Sequence, residues 1–255
     1  MPKLRFPEFV NSGEWEEKNL GDVGKVSMCK RIMKDETTET GEIPFYKIGT
    51  FGKKADAYID KELYEDYRKK YSFPKKGDIL ISASGTIGRL VVYDGLPAYF
   101  QDSNIVWIDN NEELVKNSFL SFFYETVKWT TSDTTIARLY NDNLRSVHIL
   151  RPSIKEQQKI ADCLSSVDSL ISAQSKKVEL LKEHKKGLMQ QLFPQDGEEV
   201  PKLRFPEFKN APKWEEKPLG EIVEILNNRR MPISSDLREK GLYPYYGASG
   251  IVDYI

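Results

Sequence analysis

A run of ten residues, eight of them apolar, lies between Pro152 and Pro194 with alternate spacings of four and three positions, and it predicts one long helix. Its ten positions are Ile160, Leu164, Val167, Ile171, Gln174, Val178, Leu181, Lys185, Leu188 and Leu192. A period of 3.5 residues is typical of the a and d positions of a coiled coil. Ser153 and Glu156 have the spacing of an N-cap and an N3 residue in a capping box. We therefore predict a spacer or coiled-coil helix over residues 153–194, about 60 Å long.

A helix of this length with one apolar face requires a second helix against it, because isolated helices gain most of their stability from packing. We call the ten positions the seam. Its two polar residues, Gln174 and Lys185, can set the register of the helix pair at some cost in stability. A core helix of a globular domain is the alternative interpretation. The predicted helix–helix interface consists of the apolar members of the seam, which are Ile160, Leu164, Val167, Ile171, Val178, Leu181, Leu188 and Leu192.

An octapeptide, Pro-Lys-Leu-Arg-Phe-Pro-Glu-Phe, occurs without a mismatch at residues 2–9 and again at residues 201–208. The similarity continues at the same offset of 199 residues, because the Trp-Glu-Glu-Lys sequence at Trp15 returns at Trp214. A repeat of this length is a whole domain with its connector, since solenoid units have periods of about 20–50 residues. We therefore expect a first domain, a long helix, a linker and the truncated start of a second domain, over residues 1–152, 153–194, 195–200 and 201–255.

The first domain has the pattern of an α+β fold. Short runs rich in β-forming residues are separated by glycine and proline, and residues 112–128 have helical spacing. The predicted strands are residues 43–48, 78–82, 90–93 and 147–150. The fold class predicted for the chain is one globular α+β domain followed by a long coiled-coil helix and an incomplete second domain.

Composition excludes several classes of protein. The 255 residues have a formal net charge of −1, and no apolar stretch approaches the ~18–20 residues of a membrane span. The N-terminal residues have no apolar signal core, so we predict a cytoplasmic location and no membrane partner. Cys29 and Cys163 lie in unrelated contexts, which argues against a disulfide framework or a zinc cluster. With a nearly neutral chain, any nucleic-acid surface has to be a local patch.

Catalytic patterns are weak. Pro7-Glu8 followed by Glu16-Glu17-Lys18 has the order of a metal-dependent nuclease motif, but no run of β-branched residues surrounds it. The sequence at Gly85-Thr86-Ile87-Gly88 lacks the Gly-Lys-[Ser/Thr] end of a phosphate-binding loop and is interpreted as a hairpin turn. Neither His148 nor His184 has a nucleophile or a metal-ligating residue near it in the sequence. We predict no catalytic residue, no metal site and no enzymatic activity in this chain.

Basic clusters at residues 25–34 and 68–76, and a lysine-bearing loop at residues 47–54, indicate a binding surface for DNA. Lysine and arginine neutralise phosphates, whereas polar side chains on loops reach base edges. The candidates for backbone contacts are Lys30, Arg31, Lys47, Lys53, Lys69 and Lys70. The candidates for contacts with bases or phosphates are Ser84, Thr86, Gln101, Asn104, Arg138 and Asn143.

The sequence after Arg151 resembles the junction between domain and helix in type I restriction–modification specificity (S) subunits. In that family a proline is followed by Glu-Gln-x-x-Ile-Ala, as it is here in Pro152-Ser153-Ile154-Lys155-Glu156-Gln157-Gln158-Lys159-Ile160-Ala161. The repeated Trp-Glu-x-x-x-Leu-Gly resembles the beginning of the family's target recognition domains. Gly77-Asp78-Ile79-Leu80-Ile81-Ser82 is similar to its mid-domain hairpin.

The resemblance implies a non-catalytic subunit in which two long antiparallel helices separate two recognition domains, each reading one half-site of double-stranded DNA. It implies docking to methylation subunits, which use S-adenosylmethionine, and to restriction (translocase–nuclease) subunits, which use ATP and Mg²⁺. No cofactor is implied for this chain. The sequence corresponds to one recognition domain with its spacer helix, so we expect pairing through that helix with another copy or with a second half-subunit. The alternatives are an inactive truncated subunit and a coiled-coil adaptor that binds protein rather than DNA.

Overall fold

The computed structural model describes residues 2–129, 138–226 and 232–255, and the chain divides into two compact units, Met1–Lys176 and Lys177–Ile255. The helices are α1 (Leu20–Val23), α2 (Lys61–Lys70), α3 (Asn117–Thr126), α4 (Asn141–Arg145), α5 (Ile154–Leu192) and α6 (Leu219–Ile222). The strands are β1 (Glu16–Asn19), β2 (Gly24–Ser27), β3 (Thr37–Thr38), β4 (Ile43–Tyr46), β5 (Tyr58–Ile59), β6 (Ile79–Ser82), β7 (Leu90–Val92), β8 (Tyr99–Phe100), β9 (Ile105–Asn110), β10 (His148–Arg151), β11 (Pro244–Gly247) and β12 (Gly250–Tyr254).

The first unit contains two four-stranded sheets and a two-stranded ribbon. The first sheet has the order β2-β9-β6-β7, with each neighbouring pair antiparallel. The second has the order β3-β5-β4-β8, in which β4 and β8 are parallel and the other pairs antiparallel. Strand β1 pairs antiparallel with β10, so the beginning of the domain lies beside the strand that leads into α5.

The central strands of the first sheet are buried on both faces, which explains their unbroken apolar sequences. Ile79 and Ile81 belong to a core that α1, α3 and α4 also line, whereas Leu80 belongs to a second core shared with β4, β5, β8 and α2. Alternate residues of a strand point to opposite faces, so one strand serves two cores. Strand β9 repeats the arrangement, with Val106 in the first core and Trp107 in the second.

The predicted helix over residues 112–128 is shorter at both ends in the structure, where α3 spans Asn117–Thr126. A polar turn occupies the residues before it. The Asn110 side chain donates to the carbonyl of Val115 and accepts from the amide of Glu112, whose φ of 61° is left-handed. A left-handed residue cannot continue a right-handed helix, so the helical spacing of residues 112–116 was misleading.

The predicted α+β fold followed by a long helix is confirmed, and α5 runs for 39 residues. The capping box at its start differs from the prediction. The hydroxyl of Ser153 accepts a hydrogen bond from the amide of Glu156 at 3.4 Å, as an N-cap should. The carboxylate of Glu156 instead binds side chains from the N-terminal segment. Across the described ranges, no helix has the length and apolar composition needed to cross a membrane.

The second unit contains the antiparallel hairpin β11–β12 and the second octapeptide. This octapeptide packs against the end of α5, where the amide of Leu203 donates to the carbonyl of Gln191 at 2.9 Å. The ring of Trp214 meets that of Phe193 edge-on, with centroids 5.8 Å apart. Arg204 donates to backbone carbonyls of residues 208, 211 and 212. The second repeat thus holds the C-terminal end of the helix.

Candidate nucleic-acid interface

Three loops of the first unit bring predicted DNA-contacting residues together. They are the loops after β2, after β6 and between β8 and β9, and Arg138 joins them from the segment before α4. The Nε of Arg31 donates to Oδ2 of Asp102 at 2.8 Å, and the hydroxyl of Ser84 donates to Oδ1 of Asn104 at 2.9 Å. Ser84 also forms an isolated antiparallel bridge with Arg138. We call this cluster of Arg31, Ser84, Asp102, Asn104 and Arg138 the rim.

Local sequence explains why these loops have fixed shapes. The turn after β6 is closed by the hydroxyl of Ser82, which donates to the carbonyl of Thr86 and accepts from the amide of Arg89 at 2.8 Å. Gly88 has a φ of 78°, and a Cβ there would lie 2.1 Å from Cδ1 of Trp129, so only glycine fits. The predicted hairpin turn is therefore present, and it leaves the side chain of Thr86 exposed.

The lysine-bearing loop at residues 47–53 adjoins the rim through Gln101. The Oε1 of Gln101 accepts a hydrogen bond from the amide of Ile48 at 2.8 Å, so this side chain positions the loop. Lys47 forms an ion pair with Asp56 at 2.9 Å, and Lys53 is exposed. The sequence predicted Gln101 as a DNA contact, and in the structure its side chain also has a partner within the protein, the backbone amide of Ile48.

The basic end of α2 also meets the rim loops. The ammonium of Lys30, next to Arg31, lies 5.2 Å from the ring centroid of Tyr71, which is the C-cap residue of α2. Lys69 is exposed in the last turn, where cations are favourable to the helix dipole. Lys70 pairs with Asp66 at 2.7 Å. Tyr71 thus connects two of the basic clusters found in the sequence.

Three of these cations are already paired with carboxylates, and the cations are accessible to solvent, whereas the side chain of Asp102 is 17% exposed. The side chain of Arg31 is 66% exposed, and those of Lys47 and Lys70 are 42% and 62% exposed. Exposed pairs contribute about 0–1 kcal/mol and are screened by salt. A phosphate group can therefore replace the carboxylate as the partner of each cation without a large loss of folding free energy.

Asn143, also a predicted contact, has none of the hydrogen bonds that connect the rim residues. It lies on α4, which packs against α1 and β2, and its carbonyl accepts a hydrogen bond from the hydroxyl of Ser146 at 3.1 Å. The sequence reasoning missed Asp102 and Tyr71, which hold Arg31 and Lys30 in place. A usable signal was the polar triplet Asp102-Ser103-Asn104 between the buried residues of β8 and the buried first four residues of β9.

A second polar cluster fixes α5 to the first unit. The guanidinium of Arg5 binds both oxygens of Glu156 at 2.7 Å, and the indole N–H of Trp15 donates to the same carboxylate at 3.3 Å. The side-chain Nε2 of Gln157 donates to the carbonyls of Leu114 and Pro152, and its Oε1 accepts from the backbone amide of Lys116. Glu156 and Gln157 are both buried. The Glu-Gln pair of the junction therefore joins the helix to the domain.

The residues of the possible nuclease motif are separately engaged. Glu8 pairs with Lys159 at 3.2 Å, Glu17 with His148 at 3.0 Å, and Glu16 with Arg151. Where the structure describes side chains, no group of three or more histidine, cysteine or acidic residues is arranged to hold a metal ion. The carboxylates are directed to different basic partners, so they do not share one metal site.

Substitution of Glu156 tests the importance of this junction for stability. Glu156→Ala leaves the guanidinium of Arg5 and the indole N–H of Trp15 without their carboxylate acceptor. We expect the urea midpoint of unfolding to fall by about 1 M with an unchanged slope. Lys155→Ala changes an exposed neighbour and should leave the midpoint within about 0.2 M. Equal midpoints for the two variants would contradict a stabilising role for the cluster.

The apolar seam of α5 is largely exposed. Ile160 packs against the first core, but Leu164, Val167, Ile171, Val178 and Leu181 have between 40% and 58% of their surface accessible. Leu188 and Leu192, at the far end, are partly buried. An apolar stripe of this length on one helix is a characteristic binding face for another helix.

An α+β domain with a polar rim, followed by a long helix with an exposed apolar seam, places the chain among modular proteins in which a helix continues from an α+β domain. Residues 12–183 and 212–254 match the family model for the type I restriction modification DNA specificity domain, so the chain belongs to this family. The second matched segment begins at residue 212, one residue after the position that lies 199 residues beyond the start of the first segment at residue 12. The repeat seen in the sequence is therefore a repeat of the family domain.

The relatives agree with the family match. A protein of Haemophilus influenzae named as a type I restriction enzyme specificity subunit, S.HindORF215P, is 61% identical over 155 residues, which are 60% of this chain and 40% of that protein. The MjaVIII specificity subunit of Methanocaldococcus jannaschii is 25% identical over 243 residues, which are 90% of this chain and 52% of that protein. The chain thus spans about half the length of the curated relatives it matches.

Solved structures show the same fold. The crystal structure of a type I restriction-modification S subunit from M. genitalium matches with a TM-score of 0.53 and 18% identity, over 75% of this chain and 48% of that one.

Proposed function

We propose that this chain is a non-catalytic DNA-recognition subunit of a type I restriction–modification complex and that its first domain reads one half-site of double-stranded DNA. The observation that carries the proposal is the convergence of polar and basic side chains from separate loops at the rim, in a chain of the DNA specificity family. Arg31 and Lys47 contact phosphates, and Ser84, Asn104 and Arg138 face the bases. Phosphate contacts position a protein on DNA, whereas polar groups at base edges determine the sequence it reads.

In this proposal α5 is a spacer. Its 39 residues rise about 58 Å at ~1.5 Å per residue. A rigid element of this kind determines the separation of two DNA readers, and half-site spacing follows from that separation. The chain also docks methylation subunits and restriction subunits. These partners supply the chemistry, since Glu8, Glu16, Glu17 and His148 are engaged in structural pairs.

The exposed seam of α5 supports pairing with a second helix, which a second copy of this chain or a half-subunit provides. A homodimer brings two identical recognition domains to the DNA. Because two-fold symmetric interfaces use the same patch on both subunits, such a dimer reads a symmetric bipartite site.

Mapping of methylated adenines tests this proposal. The chain is co-expressed with its methylation subunit, and modified adenines are located across the genome. We expect a bipartite motif with inverted, identical halves, and the variant Arg31→Ala with Lys47→Ala should lower methylation at every site. An asymmetric motif would instead show that a different half-subunit supplies the second reader. The absence of any sequence-specific methylation would support an inactive subunit or a protein-binding adaptor.

A further inference from the structure

The apolar seam of α5 is symmetric about residue 176. Ile160, Val167, Gln174, Leu181 and Leu188 occupy the d positions of the seam, and Leu164, Ile171, Val178, Lys185 and Leu192 occupy the a positions. In an antiparallel pair centred on residue 176, each d residue lies opposite an a residue of the second helix, as a two-fold antiparallel coiled coil requires. The five opposed pairs, each occurring twice in a dimer, are Ile160 with Leu192, Leu164 with Leu188, Val167 with Lys185, Ile171 with Leu181 and Gln174 with Val178. Three of the five layers pair two apolar residues, and a fourth places Val178 beside the side-chain amide of Gln174. The remaining layer pairs Val167 with Lys185.

The charges beside the seam agree with this register. Asp168 and Lys182 both occupy the e position, and in the antiparallel arrangement e faces e. The carboxylate of Asp168 therefore lies beside the partner's Lys182. Within α5, Asp168 and Lys182 are about 21 Å apart along the axis. Among the described residues neither has an ion-pair partner, so both charges are available to a second helix.

A parallel pair of the same helices is less favourable. It places Lys185 opposite the partner's Lys185 within the seam, and it sets Lys177 beside the partner's Lys182. The antiparallel register has one like-charge contact, between the two copies of Lys177 at the axis, and two Asp168–Lys182 pairs. Charge pairs at positions beside a seam determine orientation more than affinity.

We propose that α5 binds a second copy of this chain in the antiparallel register centred on residue 176, with Asp168 paired to the partner's Lys182. This inference rests on the homodimer of the proposed function and adds its register and the residues that select it. The occupant of the seam is a second copy because the a and d positions and the e-position charges are complementary to themselves under one two-fold axis.

Charge reversal tests the register. Asp168→Lys places two lysines together, and Lys182→Asp places two aspartates together, so each single variant should raise the dimer dissociation constant at least about tenfold. The double variant restores opposite charges in this register and should return to within about threefold of the wild type. The matched control is Lys176→Glu, at an outward-facing position, which should leave the constant unchanged. Circular dichroism at 222 nm verifies that each variant keeps its helix.

Each outcome has one interpretation. A wild-type dimer whose double variant stays as weak as the single variants would overturn the register and leave the homodimer intact. A monomeric wild-type chain at micromolar concentration would overturn the homodimer itself. Cross-linking gives an independent measurement, because the exposed thiol of Cys163 faces the partner's residue 191 in this register. In Gln191→Cys, a short bismaleimide should join position 163 to position 191. Links of 191 to 191 would contradict the antiparallel pair.

Discussion

Replacing Arg31 and Lys47 together by alanine is expected to lower affinity for target DNA about thirtyfold at ~0.15 M salt, because two phosphate contacts are lost. The slope of the logarithm of the binding constant against the logarithm of salt concentration should fall by about two. Both side chains are exposed enough to reach a phosphate, and their carboxylate partners hold them weakly. Fluorescence anisotropy with a duplex carrying the mapped motif measures both quantities.

The control variant removes the same two charges elsewhere. Lys155 and Lys176 are exposed on α5, outside the rim. Their replacement by alanine should change the affinity less than about threefold and leave the salt slope within the error of measurement. A salt slope that stays unchanged in the variant of Arg31 and Lys47 would remove these residues from the DNA interface.

Leu181→Asp is expected to convert the dimer into a monomer at micromolar concentration. In the antiparallel pair Leu181 packs against the partner's Ile171, and the two-fold axis repeats the contact, so one substitution alters two layers. Burial of a leucine contributes about 1.5–3 kcal/mol, and two such losses raise the dissociation constant at least about 100-fold. Light scattering should give about twice the 29.4 kDa chain mass for the wild type and a single chain mass for the variant.

The neighbouring residue provides a matched control. Leu180 and Leu181 are both 55% exposed, but Leu180 lies outside the seam. Leu180→Asp introduces the same side chain into the same helical turn, so it has the same effect on helix propensity. We expect it to leave the dimer intact. Equal dissociation by the two variants would show that the seam does not select the contact.

The long helix and the α+β class could be predicted because both depend on local patterns. The 3.5-residue period of the seam and the apolar runs of β6 and β9 follow from the geometry of one helix and of one doubly buried sheet. The extent of α3 could not be predicted in the same way. The left-handed conformation of Glu112 depends on a hydrogen bond from its amide to Asn110, and helical spacing alone does not reveal such a turn.

The candidate DNA-contacting residues were chosen by chemistry alone, and their arrangement depends on contacts between distant parts of the chain. Arg31 and Asp102 are 71 positions apart, and Ser84 meets Arg138 across two loops. No periodicity connects such residues, so the sequence could name Arg31, Ser84 and Arg138 but not their proximity. Asn143 also has suitable chemistry, but its place on α4, which packs against α1 and β2, depends on tertiary contacts in the same way.

The junction formed by Arg5, Trp15, Glu156 and Gln157 attaches the domain to its helix through residues that are distinct from those of the rim. These side chains bind one another and the backbone at residues 114–116 and 152, and none of the contacts described for the rim includes them. Rim side chains can therefore be exchanged without disturbing how the domain is attached to its helix. In evolutionary terms, the proposed function then allows the DNA sequence that is read and the geometry with which the domain is presented to change independently.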